Sequence, residues 1–475
     1  MKYLSKRIRI LTVAVAAVLV FGLAGTGIAS AGNGGSGNNG GSGNNGGAGP
    51  HFSQPPSGAL IVNNGSYATQ SYLPHACASH TYPTIAAAIT AASPGKTIYV
   101  CAGTYNESPS IGKPLTLLGA QFGTDAQFAR GPETIIDGIG GVTYTTGATS
   151  GTINGFTLNG YTGSTGEIVA SNVGSGWTFS NDIIDVSNGG IYLNTDGAVN
   201  PPPTTIDQDK FVQATPSGIP SSGDFGQAVL LWANTANNVT IANNAFVNLS
   251  GPGAGINTSQ AGCGATPNIA DFGNNLRIEG NSFVDNGAPI PSSTYGIDEN
   301  FAVLFCTTNA TVSNNTVTIT DHNDASAETP IYLGGGDWAT TVSGNTLIGN
   351  GASGASGAEI NSDFYPSGTG DTITANTISG FLYGIHVRIG LDYGTLPSNT
   401  PSYFTITNNH VTGSLSDGIL ISQGLYGTIS GNNVSGSATY DCADLTGPGG
   451  PGTSGTWDTW SNNRGYTSSP ARLCH

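Results

Sequence analysis

The sequence predicts an all-β protein, a right-handed parallel β-helix of about eleven or more coils with a short N-terminal capping helix. Two observations lead to this prediction: a short phrase built on asparagine recurs along the chain, and a second apolar strand recurs between its copies. Composition agrees, because the chain contains 73 glycines and only 8% of its residues are charged. Long amphipathic helices, which need many charged residues on one face, are therefore not expected.

The recurring phrase is an apolar residue, two further residues, Asn, one residue and a second apolar residue. Looser copies carry Phe156, Asp182 and Asp209 at the Asn position, and the copies recur about every 31 residues up to Asn463. The two apolar residues are five apart, so both cannot point inward from one straight strand, and a corner must lie between them. Asn tolerates the left-handed backbone of a corner, and stacked Asn side chains can bond to one another. The clear copies are centred on Asn244, Asn281, Asn315, Asn345, Asn376, Asn409 and Asn432.

A second short strand recurs once per repeat and completes the predicted coil. Stacking such coils lets each one bury the apolar face of its neighbours. An antiparallel sandwich would instead place hairpin turns between adjacent strands, whereas the apolar phrases here recur too far apart. The copies of this strand are Gly190–Leu193, Gly296–Asp298, Pro330–Leu333, Gly384–Val387 and Gly418–Ile421.

Residues Tyr82–Glu107 resemble the opening of pectin-lyase-like β-helix proteins. In that superfamily a short helix caps the open end of the coil stack, and here Ile85 and Ile89 lie on one face of the corresponding segment. Leu115–Gly119 and Thr134–Gly138 resemble the next rungs, and the resemblance extends from about residue 80 to residue 465. It implies a fold but not a function, because the superfamily includes lyases, hydrolases, epimerases, esterases and non-catalytic surface proteins.

The N-terminal residues indicate export. Four basic residues within the first nine precede the apolar run Ile10–Gly22 and the small residues Ala29–Ala31, the order of a signal peptide. We expect a signal peptide at 1–31, a linker rich in Gly, Asn and Ser at 32–56, and one β-helix domain at 57–475. Later stretches do not reach the ~20 apolar residues of a membrane span. The predicted location is extracellular, without membrane insertion, and the predicted state is a monomer.

Net charge narrows the choice of partner. The chain has 12 basic and 28 acidic residues, a formal charge of −16. Removing Lys2, Lys6, Arg7 and Arg9 with the signal leaves eight basic residues and a charge of −20. Such a surface repels nucleic acid and anionic lipid. It also repels anionic polysaccharides unless Ca²⁺ bridges them, so Ca²⁺ is the one cofactor considered, whereas neutral glycans meet no such barrier.

Six cysteines in an exported chain favour disulfides, and none are spaced as the CxxC pairs of zinc sites. Six cysteines allow fifteen pairings, which spacing alone does not resolve. We expect sequential pairing, which would link the start, the middle and the end of the stack: Cys77–Cys101, Cys263–Cys306 and Cys442–Cys474.

The candidate functional site comes from the strand Gly384–Gly390. Strict alternation predicts that Ile385, Val387 and Ile389 point inward while His386 and Arg388 point outward. Aligning the preceding coils adds more outward residues, and together they are predicted to form one exposed patch with neighbouring loop residues. The aligned residues are Asp298, Tyr332, Glu359 and Asn361, and the loop residues are Asp363, Tyr365, Asp392 and Tyr393.

This patch suits chemistry on an extracellular polysaccharide. His386 or Glu359 would act as acid or base, and Arg388 would neutralise a sugar carboxylate or developing charge. In a polysaccharide lyase, Arg388 would hold the sugar carboxylate, whereas a glycoside hydrolase would need Asp298 or Asp363 as partner acid. The alternative is a non-catalytic binding or surface module, in which Glu359 and Arg388 form an ordinary surface ion pair.

Other motifs carry weaker signals. Asn194–Gly197 resembles the first motif of polygalacturonase-type hydrolases, but their later Asp-Asp and Gly-His-Gly motifs are missing. Asp321–Asp324 would suit either a Ca²⁺ ligand set or a polar turn. Serine-nucleophile motifs such as GxSxG are absent from any predicted strand-to-helix turn.

Several further residues have two interpretations. Trp338 and Trp457 could stack on sugar, whereas Trp460 is expected to fill the core of the final coil. Asp182 and Asp209 are expected to belong to the asparagine row rather than to bind a ligand.

Overall fold

The structure is a computed structural model, and all described residues belong to one stack of parallel strands with short flanking elements. It describes residues 53–65, 75–78, 82–161, 166–173, 176–187, 189–195, 202–212, 227–232, 237–247, 249, 255–259, 273–285, 300–319, 329–361, 370–388 and 402–475.

One sheet, called the first face here, receives one strand from each coil. All of its neighbouring strands pair in parallel, in the order in which they occur along the chain. Its 14 strands are Leu60–Val62, Thr97–Val100, Leu115–Leu118, Gly151–Asn154, Trp177–Ser180, Thr204–Asp207, Val239–Ala242, Arg277–Glu279, Thr311–Ser313, Thr341–Ser343, Thr372–Thr374, Thr405–Thr407, Thr428–Ser430 and Thr459–Ser461.

A second sheet consists of two parallel ladders, called the second and third faces, which two long strands join. The long strands are Thr346–Ile360 and Thr377–Val387. The second face also contains Gly103–Tyr105, Thr134–Asp137, Phe156–Asn159, Ile183–Asp185, Lys210–Val212, Ala245–Val247, Ser282–Asp285, Thr316–Ile319, His410–Thr412 and Asn433–Ser435. The third face also contains Ser110–Ile111, Val142–Tyr144, Ile168–Val173, Ile191–Thr195, Val229–Trp232, Ile256–Ser259, Ala302–Leu304, Ile331–Leu333, Ile419–Ile421, Cys442–Asp444 and Ser468–Ser469.

Three parallel faces that are visited in turn confirm the right-handed parallel β-helix predicted from the sequence. The minor elements are the strand pair Gly273–Asn274 with Thr307–Thr308, the helices His75–Ala78 and Ile85–Ala91, and a 3-10 turn at Thr453–Gly455. The helix Ile85–Ala91 buries Ile85, Ala88 and Ile89, and its first two backbone N–H groups donate to the Glu107 carboxylate.

The predicted asparagine row forms a buried ladder at the corner between the first and second faces. In each coil the Asn amide donates to the side-chain oxygen of the next Asn, for example from Asn345 to Asn376 at 2.9 Å, and also to a backbone carbonyl. Asp182 and Asp209 belong to the same row, since their Oδ1 atoms accept backbone N–H groups from the preceding coil. One detail differs from the prediction: the left-handed residue is the one before each ladder Asn, such as Asn314 at φ 56°.

Apolar side chains from the three faces fill the interior. The predicted pairs lie inside on either side of the corner, as Ile241 does on the first face and Phe246 on the second. Successive coils stack like on like, so that the rings of Phe211 and Phe246 lie 4.8 Å apart and nearly parallel. Trp460 is buried in the last coil, as predicted, and donates from Nε1 to Asp444.

Two predicted disulfides are confirmed. Cys77 bonds to Cys101 and Cys442 bonds to Cys474, each with Cα atoms 6.0 Å apart. Cys306 is also disulfide-bonded. Cys263 lies outside the described residues, so its pairing with Cys306 stays a prediction.

Candidate functional site

The third face brings Tyr332, Glu359 and His386 together on consecutive coils. Tyr332 pairs with Glu359 and Glu359 with His386, as the alignment of repeats predicted. The residue that pairs with Tyr332 on the other side is Val303, so the predicted place of Asp298 in this row was wrong. The strand that pairs with Ile331–Leu333 is Ala302–Leu304 rather than the predicted Gly296–Asp298, and Asp298 itself lies outside the described residues.

A second column runs beside the first, two residues further along each strand. The Arg388 backbone N–H donates to Ile360 O and the Asn361 N–H to Leu333 O, which places Arg388 one coil after Asn361 as predicted. The next residue in this column is Ser422, whose N–H donates to Val387 O at 2.9 Å. The Asn361 side chain also contacts the Tyr332 hydroxyl, and this contact links the two columns.

Glu359 is held by partners on both carboxylate oxygens. Its Oε1 accepts from Arg388 Nε at 2.7 Å, and its Oε2 accepts from Ser356 Oγ at 3.0 Å and lies 3.5 Å from His386 Nδ1. Burial of this carboxyl raises its pKa, but the hydrogen bond from His386 and the positive charge of Arg388 outweigh burial and lower the pKa below its usual value. Glu359 is therefore a carboxylate at neutral pH, shared between two basic side chains.

His386 has partners at both ring nitrogens. Its Nδ1 faces Glu359, and its Nε2 lies 2.7 Å from the hydroxyl oxygen of Ser422 on the next coil. The Tyr383 ring packs against the imidazole, with the ring centroids 4.9 Å apart. The Ser422 hydroxyl has a second acceptor in Val387 O at 3.2 Å, a longer contact than the one to His386. The arrangement is a hydroxyl, an imidazole and a carboxylate in line.

The prediction of a fully exposed patch was wrong. Glu359 and His386 are 5% and 8% exposed, and Asn361 is also buried. The Arg388 side chain keeps 49% of its surface exposed. Packing between coils and the contacts to Ser356, Tyr383 and Ser422 cover the outward-facing groups, which alternation within one strand does not reveal. The buried acid and imidazole thus lie behind a half-exposed guanidinium.

Ser422 was missed at the level of sequence. The available signal was its place in the repeat: it follows the apolar strand Ile419–Ile421 and aligns with Arg388 one coil earlier. Leu420 occupies the place aligned with His386, so the row of polar residues that contains Glu359 and His386 ends at the coil of Ser422. Inspection of that row alone therefore gives no reason to consider Ser422. Only the register between the two columns brings the serine hydroxyl to the imidazole.

The remaining predicted site residues fall outside the described part of the chain. These are Asp363, Tyr365, Asp392 and Tyr393 from the loops, Asp321–Asp324, and Asp196 of the polygalacturonase-like motif. Within the described ranges, there is no group of three or more His, Cys, Asp or Glu side chains that could hold a metal ion. A helix long and apolar enough to cross a membrane is likewise not found in the described ranges.

Comparison with known proteins connects the fold to solved β-helices. The chain is similar to the catalytic unit of a GH87 α-1,3-glucanase from Streptomyces thermodiastaticus, at 16% identity and a TM-score of 0.51, over 88% of this chain and 71% of that one. It also matches an alginate lyase from Paenibacillus at 16% identity and a TM-score of 0.39, over 68% and 91% of the two chains. PfbA, a surface adhesin of Streptococcus pneumoniae, matches at 14% identity and a TM-score of 0.39, over 81% and 86%. Neither a family profile nor a curated protein matches the chain in sequence.

Proposed function

We propose that this protein is a secreted hydrolase that removes acyl groups from an extracellular polysaccharide, with Ser422 as nucleophile. The observation that carries the proposal is the line from Ser422 Oγ through His386 to Glu359, with 2.7 Å between hydroxyl and imidazole and 3.5 Å between imidazole and carboxylate. A nucleophile within hydrogen-bond reach of a base, and a base oriented by a third group, is the arrangement of nucleophilic catalysis on many folds.

The reaction would proceed in two steps. Ser422 Oγ attacks the ester carbonyl carbon and passes its proton to His386 Nε2, and the tetrahedral intermediate expels the sugar oxygen, which takes that proton from His386. Water, activated by the same imidazole, then cleaves the acyl-serine and releases the acid. Glu359 holds the proton of His386 on Nδ1 and stabilises the imidazolium. Arg388, beside Ser422 in the register and half exposed, stabilises the negatively charged oxygen of the intermediate.

A glycoside hydrolase at this cluster is less well supported. Its general acid needs a raised pKa, whereas Arg388 and His386 lower the pKa of Glu359 and keep it ionised. The partner acids suggested by the sequence, Asp298 and Asp363, lie outside the described residues. A polysaccharide lyase fits the cluster better than a glycoside hydrolase does, because the half-exposed Arg388 would bind a sugar carboxylate and His386 would remove a proton from the sugar ring. A lyase mechanism, however, gives no role to the contact between His386 and Ser422.

The choice of polysaccharide as substrate rests on three supports. The similar structure with a TM-score of 0.51 is a glucanase, and a strongly acidic exported chain disfavours nucleic acid and anionic lipid. Tyr332 and Tyr383 also lie at the cluster and offer rings to a sugar. The alternative of a non-catalytic surface module predicts the same partner without turnover.

The test is a panel of natively acetylated and chemically deacetylated polysaccharides, incubated with the purified protein with and without Ca²⁺. Acetate release, absorbance of unsaturated products and new reducing ends are followed together, in wild type, Ser422→Ala, His386→Ala and Gln423→Ala. Gln423 is the exposed neighbour of Ser422 and serves as the matched control. The proposal expects acetate release that the first two variants lose and the control keeps. Unsaturated products that survive Ser422→Ala would instead establish a lyase, and folded protein without turnover would favour the module.

A further inference from the structure

The corner between the third and first faces has its own row of left-handed residues. Asn238, Asn275 and Asn309 occupy the same place in consecutive coils, two residues before the paired position of the first face, with φ of 53°, 63° and 54°. The Asn275 amide donates to Asn238 Oδ1 at 2.9 Å. Asparagine is well suited to this place because it is the non-glycine residue that best tolerates a positive φ.

The last three coils replace asparagine with large aromatic residues at this corner. Thr405, Thr428 and Thr459 pair in register on the first face, so the residues two positions earlier, Tyr403, Tyr426 and Trp457, are equivalent. Tyr403 and Tyr426 keep the left-handed backbone, with φ of 46° and 64°. That backbone is unfavourable for a bulky residue, and such outliers cluster at active sites and ligand-binding sites. The coil closes equally well with Asn, so closure alone does not account for the aromatic residues.

The three side chains lie next to one another at the surface, with Tyr403 and Tyr426 exposed and Trp457 partly buried, and are called the aromatic stripe here. The rings of Tyr403 and Tyr426 stack with centroids 5.9 Å apart and planes 22° from parallel, and Trp457 meets Tyr426 edge to face at 5.9 Å. Tyr403 is 39% exposed and Tyr426 is 43% exposed. The equivalent residue of the preceding coil is Gly370, which has no side chain, so the aromatic stripe begins at Tyr403.

The interior beneath the stripe is packed tightly and fixes the corner. The Phe404 ring is buried, and a Cβ added to Gly427 would come within 2.1 Å of it. The backbone N–H of Gly427 also donates to the buried carboxylate of Asp458 at 2.7 Å. Tyr426 directly precedes Gly427, and Trp457 directly precedes Asp458. The backbone of both aromatic residues is therefore fixed before a ligand binds, which reduces the entropy lost on binding.

We propose that the aromatic stripe binds a neutral glycan chain by stacking pyranose rings on Tyr403, Tyr426 and Trp457. Sugar rings present flat faces of C–H groups, and exposed aromatic rings with a polar edge suit such amphipathic partners. Three coils at the strand spacing cover roughly 10 Å, enough for a short run of sugars. The formal charge of −16 opposes a polyanion. Tyr426 follows Ser422 by four residues, so a bound chain would pass near the proposed nucleophile.

Binding is separable from the proposed reaction, and the test uses that separation. Calorimetric or affinity-gel titration would employ soluble mixed-linkage glucan, xylan and galactomannan as neutral probes, and alginate and pectate as charged probes. The variants are Tyr403→Asn/Tyr426→Asn, which restores the residue of the earlier coils, the control Tyr466→Asn at a 92% exposed tyrosine, and Ser422→Ala.

The stripe predicts binding to at least one neutral probe, a loss of about tenfold or more in the double variant and unchanged affinity in Tyr466→Asn. Ser422→Ala should bind the neutral glycan with the same affinity as wild type, whether or not the substitution abolishes activity. The same holds if the protein does not catalyse the proposed deacylation. Equal affinity of the double variant and wild type would overturn the proposal. Binding restricted to alginate or pectate, or no binding to any probe by folded protein, would overturn it as well.

Discussion

The Nε2 atom of His386 lies 2.7 Å from the hydroxyl oxygen of Ser422, although the two residues are 36 positions apart and belong to different coils. Register produces this contact, because Arg388 and Ser422 are neighbours in one column while His386 and Glu359 are neighbours in the next. Each coil supplies one member of the line, so a parallel β-helix can assemble a catalytic group from residues spread over the repeats.

Replacing Glu359 by Gln tests the carboxylate end of that line. The amide keeps the size of the side chain but removes the charge that stabilises an imidazolium, so kcat for deacylation should fall by roughly 10²–10⁴-fold. KM should change little, because this carboxyl is only 5% exposed and so is hardly accessible to a substrate. Ser414→Ala, at a buried hydroxyl outside the line, is the control. Equal losses in both variants would indicate a general packing defect and contradict a specific role for Glu359.

Arg388 should respond to substitution differently from Glu359. Its half-exposed guanidinium is placed to stabilise the oxyanion, so Arg388→Ala should lower kcat by roughly 10²–10³-fold. Arg388→Lys should recover part of this loss, since the ammonium keeps the charge but not the planar donor geometry. Initial rates over a range of substrate concentrations separate kcat from KM. An Arg388→Ala variant with wild-type kcat would remove this residue from the mechanism.

The asparagine ladder should be a main source of stability. In Asn345→Ala, the interior loses bonds to Asn376 and to Val312 O, and Asn315 loses its acceptor. We expect a cost of about 2–4 kcal/mol in the free energy of unfolding, measured by chemical denaturation. Asn433→Ala, at an exposed strand position, should cost far less. A cost in Asn345→Ala no larger than in that control would contradict the energetic role of the ladder.

The acidic end of the ladder should make stability depend on pH. Burial raises the pKa of Asp182 to about 7, although hydrogen bonds and Arg130 oppose the shift, and burial and the Asp182 charge raise the pKa of Asp209 well above its ordinary value. The folded chain therefore keeps protons that the unfolded chain has released, and stability falls as pH rises from 3.8 through about 7.

Asp209→Asn tests that dependence. The amide keeps the acceptor for the Asp182 N–H and adds the donor that other ladder members use, while it removes one ionisable group. Tm at pH 7 should rise, and the decline in Tm between pH 4 and pH 7 should become shallower. Asp137→Asn, which changes an exposed acid at the end of the strand Thr134–Asp137, is the control. A lower Tm in Asp209→Asn at pH 7 would contradict the account.

The sequence was sufficient for the repeat but not for the full register of the site. Positions such as Ile241 and Asn244 recur with their neighbours, and local patterning alone places one inside and the other at the corner. The row of Glu359 and His386 was predictable because their coils carry the same short strand. Asp298 was misplaced because the segment between Asp285 and Ala302 is longer than the repeat pattern suggested, and loop length does not follow from strand periodicity.

The burial of Glu359 and His386 could not be predicted from alternation either, since it depends on contacts across coils to Ser356 and Ser422. The aromatic stripe was partly visible, because Trp457 stood out as a possible sugar contact. Its partners Tyr403 and Tyr426 became evident only from the register of the first face and from their positive φ.

The most direct test of the central claim is to identify the residue that an organophosphonate ester modifies. This reagent bonds covalently to a serine that a neighbouring base has activated. Peptide mass spectrometry after exposure of the intact protein should locate one adduct on Ser422, formed rapidly in wild type and at least 10²-fold more slowly in His386→Ala. Modification that is absent at Ser422 in the folded wild-type protein, or equally fast in His386→Ala, would contradict a hydrolase built on Ser422, His386 and Glu359.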